Sequence, residues 1–158
     1  MKVDYSKVKE LPENSLELFK IFMRLEFALK ALKYCYQPEE KAQKVNIDWE
    51  SYANAKLGED FFARMVASRK ADALINNPPQ TQVTECDGAL GWKKVGRAKS
   101  VNDLLASVRR VRNNLFHGGK HGDADCDRNP ELVSEALFVI DEILKCDSDL
   151  HDMFAGNH

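Results

Sequence analysis

The chain has 158 residues, 44% hydrophobic and 30% charged, with a formal net charge of -2. This is enough apolar material for a single core, and too little positive charge for a protein that coats nucleic acid indiscriminately. No apolar run approaches the roughly 20 residues that span a bilayer, and Met1-Lys2-Val3-Asp4-Tyr5 lacks the apolar centre of a secretion signal. Cys35, Cys86, Cys126 and Cys146 are too scattered for a zinc site or a disulfide framework. The expectation is one cytoplasmic domain over residues 1–158 with reduced thiols, a polar lead-in at 1–13 and a tail at 147–158 that either docks back or frays.

In chain order, Asn14 with Glu17 reads as a capping box opening the first helix. Leu18, Phe22, Leu25, Leu29, Leu32 and Tyr36 form its apolar stripe, and Pro38 marks its stop. Glu26 falls beside that stripe. Buried without a partner it would cost several kcal/mol. It is therefore expected either to meet Arg112, or to stay at the edge in water or paired with Lys30 one turn on.

From Ile47 to Asn76 the pattern is helical but broken. Trp49, Tyr52 and Ala53 suggest a short piece, Gly58 interrupts, and Phe61, Phe62, Met65, Val66, Ala73 and Leu74 suggest a longer one ended by Asn77-Pro78-Pro79. At this spacing the aromatics are core rather than base-stacking platforms. Residues 78–99 lack helical period and form a long connection with room for a short hairpin. Within it Trp92 either stacks a base between Lys93, Lys94 and Arg97 or anchors the loop to the helices.

The densest chemistry follows. Ser100 and Asp103 cap a helix whose stripe is Val101, Leu104, Val108, Val111 and Leu115, and Gly118-Gly119 stop it. Its end carries Arg109, Arg110, Arg112, Asn113, Asn114 and His117, with Lys120 just beyond. A histidine in a last turn is favoured in its protonated form by the helix dipole, and can both accept and donate a proton near neutral pH. On an unbroken helix Arg112 and His117 point about 140° apart. Either the last turn unwinds at the glycines or a second copy of the chain completes the site. Charge is also unevenly spread: from Trp92 to His121 eight basic side chains face one acid, Asp103, and from Gly122 onward ten acids face Arg128 and Lys145. This suits a positive groove on an acidic body.

The string Arg112-Asn113-Asn114-Leu115-Phe116-His117-Gly118-Gly119-Lys120 resembles the signature of the HEPN superfamily, whose small all-helical domains commonly dimerise and act as metal-independent ribonucleases. The likeness covers the central and C-terminal helices, extends plausibly to the first helix, and leaves out the middle of the chain. It implies an acidic partner from the first helix, Glu26, and paired motifs in a cleft between two subunits.

After the glycines, Asp123, Asp125 and Asp127 are spaced like the start of a calcium loop. Arg128 replaces the required glycine and Ser134 the closing glutamate, so the match fails. His117, His121 and Cys126 lack a defined fourth ligand, and no metal or other cofactor is assigned. Asn129-Pro130-Glu131 opens the last helix, with Leu132, Val133, Ala136, Leu137, Ile140, Ile143 and Leu144 inward.

The expected fold is all-α: an up-and-down bundle of four to five helices with a long loop between the second and third main helices. The expected activity is RNA cleavage by attack of the 2′-hydroxyl. His117 would move the proton, Arg112 would stabilise charge on phosphorus and Asn113 would position, with Asn114 and Glu26 in support. Lys93, Lys94, Arg109 and Lys120 would hold the RNA. The expected partners are RNA, a second copy of the chain and an antitoxin protein, with no membrane. The rival expectation is a non-catalytic helical module binding RNA, a nucleotide or a protein, in which Arg112 is structural.

Overall fold

The computed structural model describes residues 11–39, 41–116 and 126–157. Most of these residues are helical: α1 (Ser15–Ala31), α2 (Trp49–Tyr52), a π-helical turn (Ala53–Leu57), α3 (Gly58–Ser68), α4 (Asp72–Asn76), α5 (Val101–Phe116), a 3-10 turn (Cys126–Arg128), α6 (Asn129–Cys146) and α7 (Ser148–Ala155). Two short antiparallel strands interrupt them, β1 (Thr81–Thr84) and β2 (Leu90–Lys93), in register Thr81 to Lys93 and Thr84 to Leu90. Among the described residues no helix is long and apolar enough to cross a membrane.

α5 is the element the others pack around. It contacts α1, α2, α3, α4, α6 and β1, and its stripe Val101, Leu104, Val108, Val111 and Leu115 is buried. Phe22, Leu25 and Leu29 of α1, Tyr52, Phe61 and Met65 of the middle segment, and Leu132, Ile140 and Ile143 of α6 complete one core. The 47–76 aromatics Trp49, Tyr52 and Phe61 are buried, which is the packing role that their spacing predicts.

Several local expectations are corrected. Asn14 adopts a left-handed conformation (φ 62°) and makes no side-chain cap; reaching the first-turn N–H groups requires extended backbone there. α1 then stops well before Pro38. Lys33 takes φ 66°, its N–H bonds to Lys30 O and the Tyr34 N–H to Leu29 O, both at 3.0 Å. These two bonds are the Schellman closure, normally built on glycine. Tyr36 consequently leaves the core and is 60% exposed.

Residues 34–39 and 41–48 fold back on each other as an arm, Tyr36 N–H bonding to Asn46 O and Asp48 N–H to Tyr34 O. The 78–99 connection holds the hairpin. Its turn is closed by Glu85 N–H to Ala89 O and Gly88 N–H to Glu85 O, with Gly88 at φ 83° as such a three-residue loop requires. The tail is helical: Asp147 caps α7 by accepting from Leu150 N–H, and Arg24 of α1 bonds the carbonyls of Met153 and Phe154 at its far end.

Candidate functional site

α5 starts as the sequence dictates. Ser100 Oγ accepts from the Asp103 N–H at 3.2 Å, while the Asp103 carboxylate reaches the Lys99 N–H at 2.8 Å, one residue before the partner a capping box would use. The helix then presents two polar edges on either side of its buried stripe.

One edge faces α1 and α2. Arg109, Arg112 and Phe116 follow at three- and four-residue steps and each meets an aromatic ring. Arg109 lies 5.2 Å from the Trp49 centroid, Arg112 4.7 Å from Phe22, and Phe116 packs edge-on to Phe19 at 5.7 Å. Arg112 Nη2 also donates to Glu26 Oε1 in a direct ion pair. The two side chains are 24% and 26% exposed, so the pair is partly shielded yet open to solvent on one side. Glu26 thus takes Arg112, and no Lys30 pairing is formed. One guanidinium nitrogen is committed to the carboxylate, and the guanidinium carbon lies over the Phe22 ring.

The pair stands between two concavities. On one side is a cleft of about 690 Å³ bounded by Glu26, Lys30, Tyr36, Lys44, Trp49, Asn102, Arg109 and Arg112 among others. On the other is an apolar groove of about 340 Å³ formed by Phe19, Lys20, Phe22, Met23 and Phe116, with Glu26 and Arg112 again on its wall. Phe116 is 66% and Met23 69% exposed. Burial, reinforced by the neighbouring Arg112 charge, lowers the pKa of Arg109 from its usual value, with Glu26 pulling the other way. An arginine so placed remains a cation near neutral pH, poorly hydrated and suited to an anion.

The other edge of α5 is structural. Arg110 Nε donates to Pro79 O and its Nη2 to Ser107 Oγ, while Asn114 Nδ2 donates to Gln80 O at 2.9 Å. These bonds pin the start of the hairpin segment, so Asn114 is drawn away from Arg112 and serves the loop. Asn113 is half-buried between the two edges. Lys93 and Lys94 are exposed at the end of the hairpin and do not line the cleft. Trp92 is half-buried opposite Gln82 in the strand pair.

His117, Lys120 and His121 lie outside the described residues, as do the two glycines expected to end the helix. Among the described residues no group of three or more His, Cys, Asp or Glu side chains could hold a metal.

Sequence reasoning missed Lys30, Tyr36, Lys44, Asn46 and Asn102 as cleft residues. Only the fold brings the aperiodic 34–48 arm beside α5, and nothing in its composition announces that. No family model, no curated protein and no solved structure matches the chain.

Proposed function

We propose that the protein is a metal-independent endoribonuclease of the HEPN kind, built as an up-and-down helical bundle and acting as a cytoplasmic toxin or defence effector. The observation that carries this reading is the Arg112–Glu26 pair, set at an open ridge and followed directly in the sequence by Asn-Asn-Leu-Phe-His. It holds a permanent cation in a fixed orientation at the end of α5, where fixed charge serves transition-state stabilisation best.

In the proposed reaction His117 takes the proton of a ribose 2′-hydroxyl. The 2′-oxygen attacks phosphorus, the bond from phosphorus to the 5′-oxygen breaks, and an acid returns a proton to that oxygen. Arg112 meets the charge on the non-bridging oxygens with the donors that Glu26 leaves free, and Asn113 positions the phosphate. DNA is inert to such a site because it lacks the attacking hydroxyl.

Each chain has one histidine in the motif, so the acid is assigned to His117 of a second copy across a two-fold axis at the end of α5. The exposed ring of Phe116 and the groove against Phe19 and Met23 are the surface such a copy would cover. An antitoxin protein that occludes the ridge would silence the enzyme.

A second reading has one specific observation in its favour. Arg112 is already satisfied by Glu26 and Phe22, as a purely structural arginine would be, and the protein would then bind RNA or a partner without cutting. Incubation of single-stranded RNA with the protein in excess EDTA separates the two. The ribonuclease reading expects fragments ending in 2′,3′-cyclic phosphate, lost in Arg112→Ala and His117→Ala with helicity retained. Intact RNA with wild-type protein leaves the binding module.

A further inference from the structure

We infer that the cleft beside Arg112 seats one nucleotide, its phosphate on Arg109 and its base between Tyr36 and the side-chain amides of Asn46 and Asn102. That this nucleotide belongs to an RNA strand rests on the ribonuclease reading; that the cleft takes a nucleotide does not.

The charge balance comes first. Of the four cations around the cleft, Arg112 is matched by Glu26, which leaves Lys30, Lys44 and Arg109 against Glu50. Lys30 and Lys44 are exposed, but Arg109 is half-buried over Trp49. Among the described residues it makes no ion pair with a carboxylate. A partly desolvated guanidinium with a free donor fork is a phosphate site by position and charge together, with the Trp49 ring beneath it.

The remaining wall suits a nucleoside. The Tyr36 ring projects at the rim, 60% exposed because α1 ends before reaching it. Exposed aromatic faces of this kind hold single-stranded bases by stacking, worth about 1–3 kcal/mol per base. Asn102 Nδ2 is occupied by Asn54 Oδ1 at 3.0 Å, so its carbonyl oxygen remains to accept from a base edge. Asn46 contributes an exposed amide opposite, its backbone carbonyl being used by Tyr36. The volume of about 690 Å³ lies within the roughly 300–1,000 Å³ of small-molecule sites.

The test is a titration of the full chain with adenosine 5′-monophosphate, followed by NMR at the Trp49 indole N–H and the Arg109 Nε–H. Saturable shifts are expected, with inorganic phosphate weaker and adenosine weaker still. Arg109→Ala should bind about tenfold more weakly, the loss expected for one charge-assisted hydrogen bond. Lys44→Ala, whose exposed side chain does not support the core, guards against a folding defect in the first variant and should weaken binding severalfold. Absence of saturable shifts, or equal affinity in wild type and both variants, overturns the inference. Displacement by a short single-stranded RNA supports a strand as the source, and failure of RNA to compete overturns that part.

The fates of the two proposals separate cleanly. Nucleotide binding with RNA left uncut removes the ribonuclease and keeps the cleft. RNA cut with the same KM by wild type, Arg109→Ala and Lys44→Ala removes the RNA strand as the source of the nucleotide and keeps the ribonuclease, while the adenosine 5′-monophosphate titration alone decides the cleft.

Discussion

Arg112 is held by two unlike contacts, the Glu26 carboxylate and the face of Phe22, and these set different consequences for substitution. Glu26→Ala leaves a half-buried guanidinium with its stacking but without its counter-charge. Because both side chains are about a quarter exposed, water recovers part of the loss, and thermal or urea unfolding should show a destabilisation of about 1–2 kcal/mol. If Glu26 serves to aim Arg112, kcat on RNA should fall further in Glu26→Ala than in Glu26→Gln, whose amide oxygen still accepts the same hydrogen bond. Equal activity in both variants would make Glu26 a stability residue alone. The Glu26 position was legible in the sequence because it lies beside Phe22, Leu25 and Leu29, where a lone carboxylate is costly. The choice between Arg112 and Lys30 was not, since it depends on how α1 and α5 cross. Arg109, read as one of several RNA-holding cations, is half-buried where Lys93 and Lys94 are exposed, and burial is a tertiary property.

At the scale of elements, the sequence exposed what is periodic and concealed what is set by single backbone torsions. The α5 stripe and the break at Gly58 follow from pattern, but the longer helix expected over Phe61 to Leu74 stops at Ser68, where Arg69 is left-handed (φ 57°), and only the short α4 runs up to Asn77-Pro78-Pro79. The end of α1 does not follow from pattern either, because a lysine occupies the left-handed closing position that usually declares itself as glycine. Lys33→Gly should therefore raise stability by about 1 kcal/mol, by relieving the left-handed strain of a residue bearing a Cβ. An unchanged or lower melting temperature would mean that Lys33 is not strained there.

A second device without a sequence signal is Glu135 of α6, whose carboxylate accepts from the N–H groups of Ala73 and Leu74 at the start of α4. Burial raises its pKa above the ordinary glutamate value, outweighing those hydrogen bonds. The folded state therefore holds this proton at higher pH than the unfolded chain. The resulting contribution to stability is fully present below the unfolded pKa and is lost as pH rises through the folded one. Relative to Glu135→Gln, wild type should gain stability on going from pH 7 toward the ordinary glutamate range. A difference that does not vary with pH would contradict this assignment.

At the scale of the described residues as a whole, Arg109 and Arg112 lie on the side of α5 that meets α1 and α2, and the hairpin is tied to the other. Lys93 and Lys94 show the limit of reading charge along the chain: they are close to Arg97 and Arg109 in sequence, yet stand off the cleft because Arg110 and Asn114 tie the hairpin to the opposite edge. The tail gave no more than apolar Met153 and Phe154, and its docking depends on the distant Arg24. Proposed self-association also belongs to this scale. Phe116→Glu places a charge on an exposed ring position within the motif. It should shift light scattering from dimer to monomer and abolish RNA cleavage together, with little change in helicity. A dimer that persists in this variant would remove Phe116 from the interface.

The central claim is tested most directly by the chemistry of the cut ends. Single-stranded RNA incubated with wild-type protein in excess EDTA should yield 2′,3′-cyclic phosphate termini, and Arg112→Ala and His117→Ala of native helicity should yield none. Uncut RNA, or cleavage that EDTA abolishes, would contradict it.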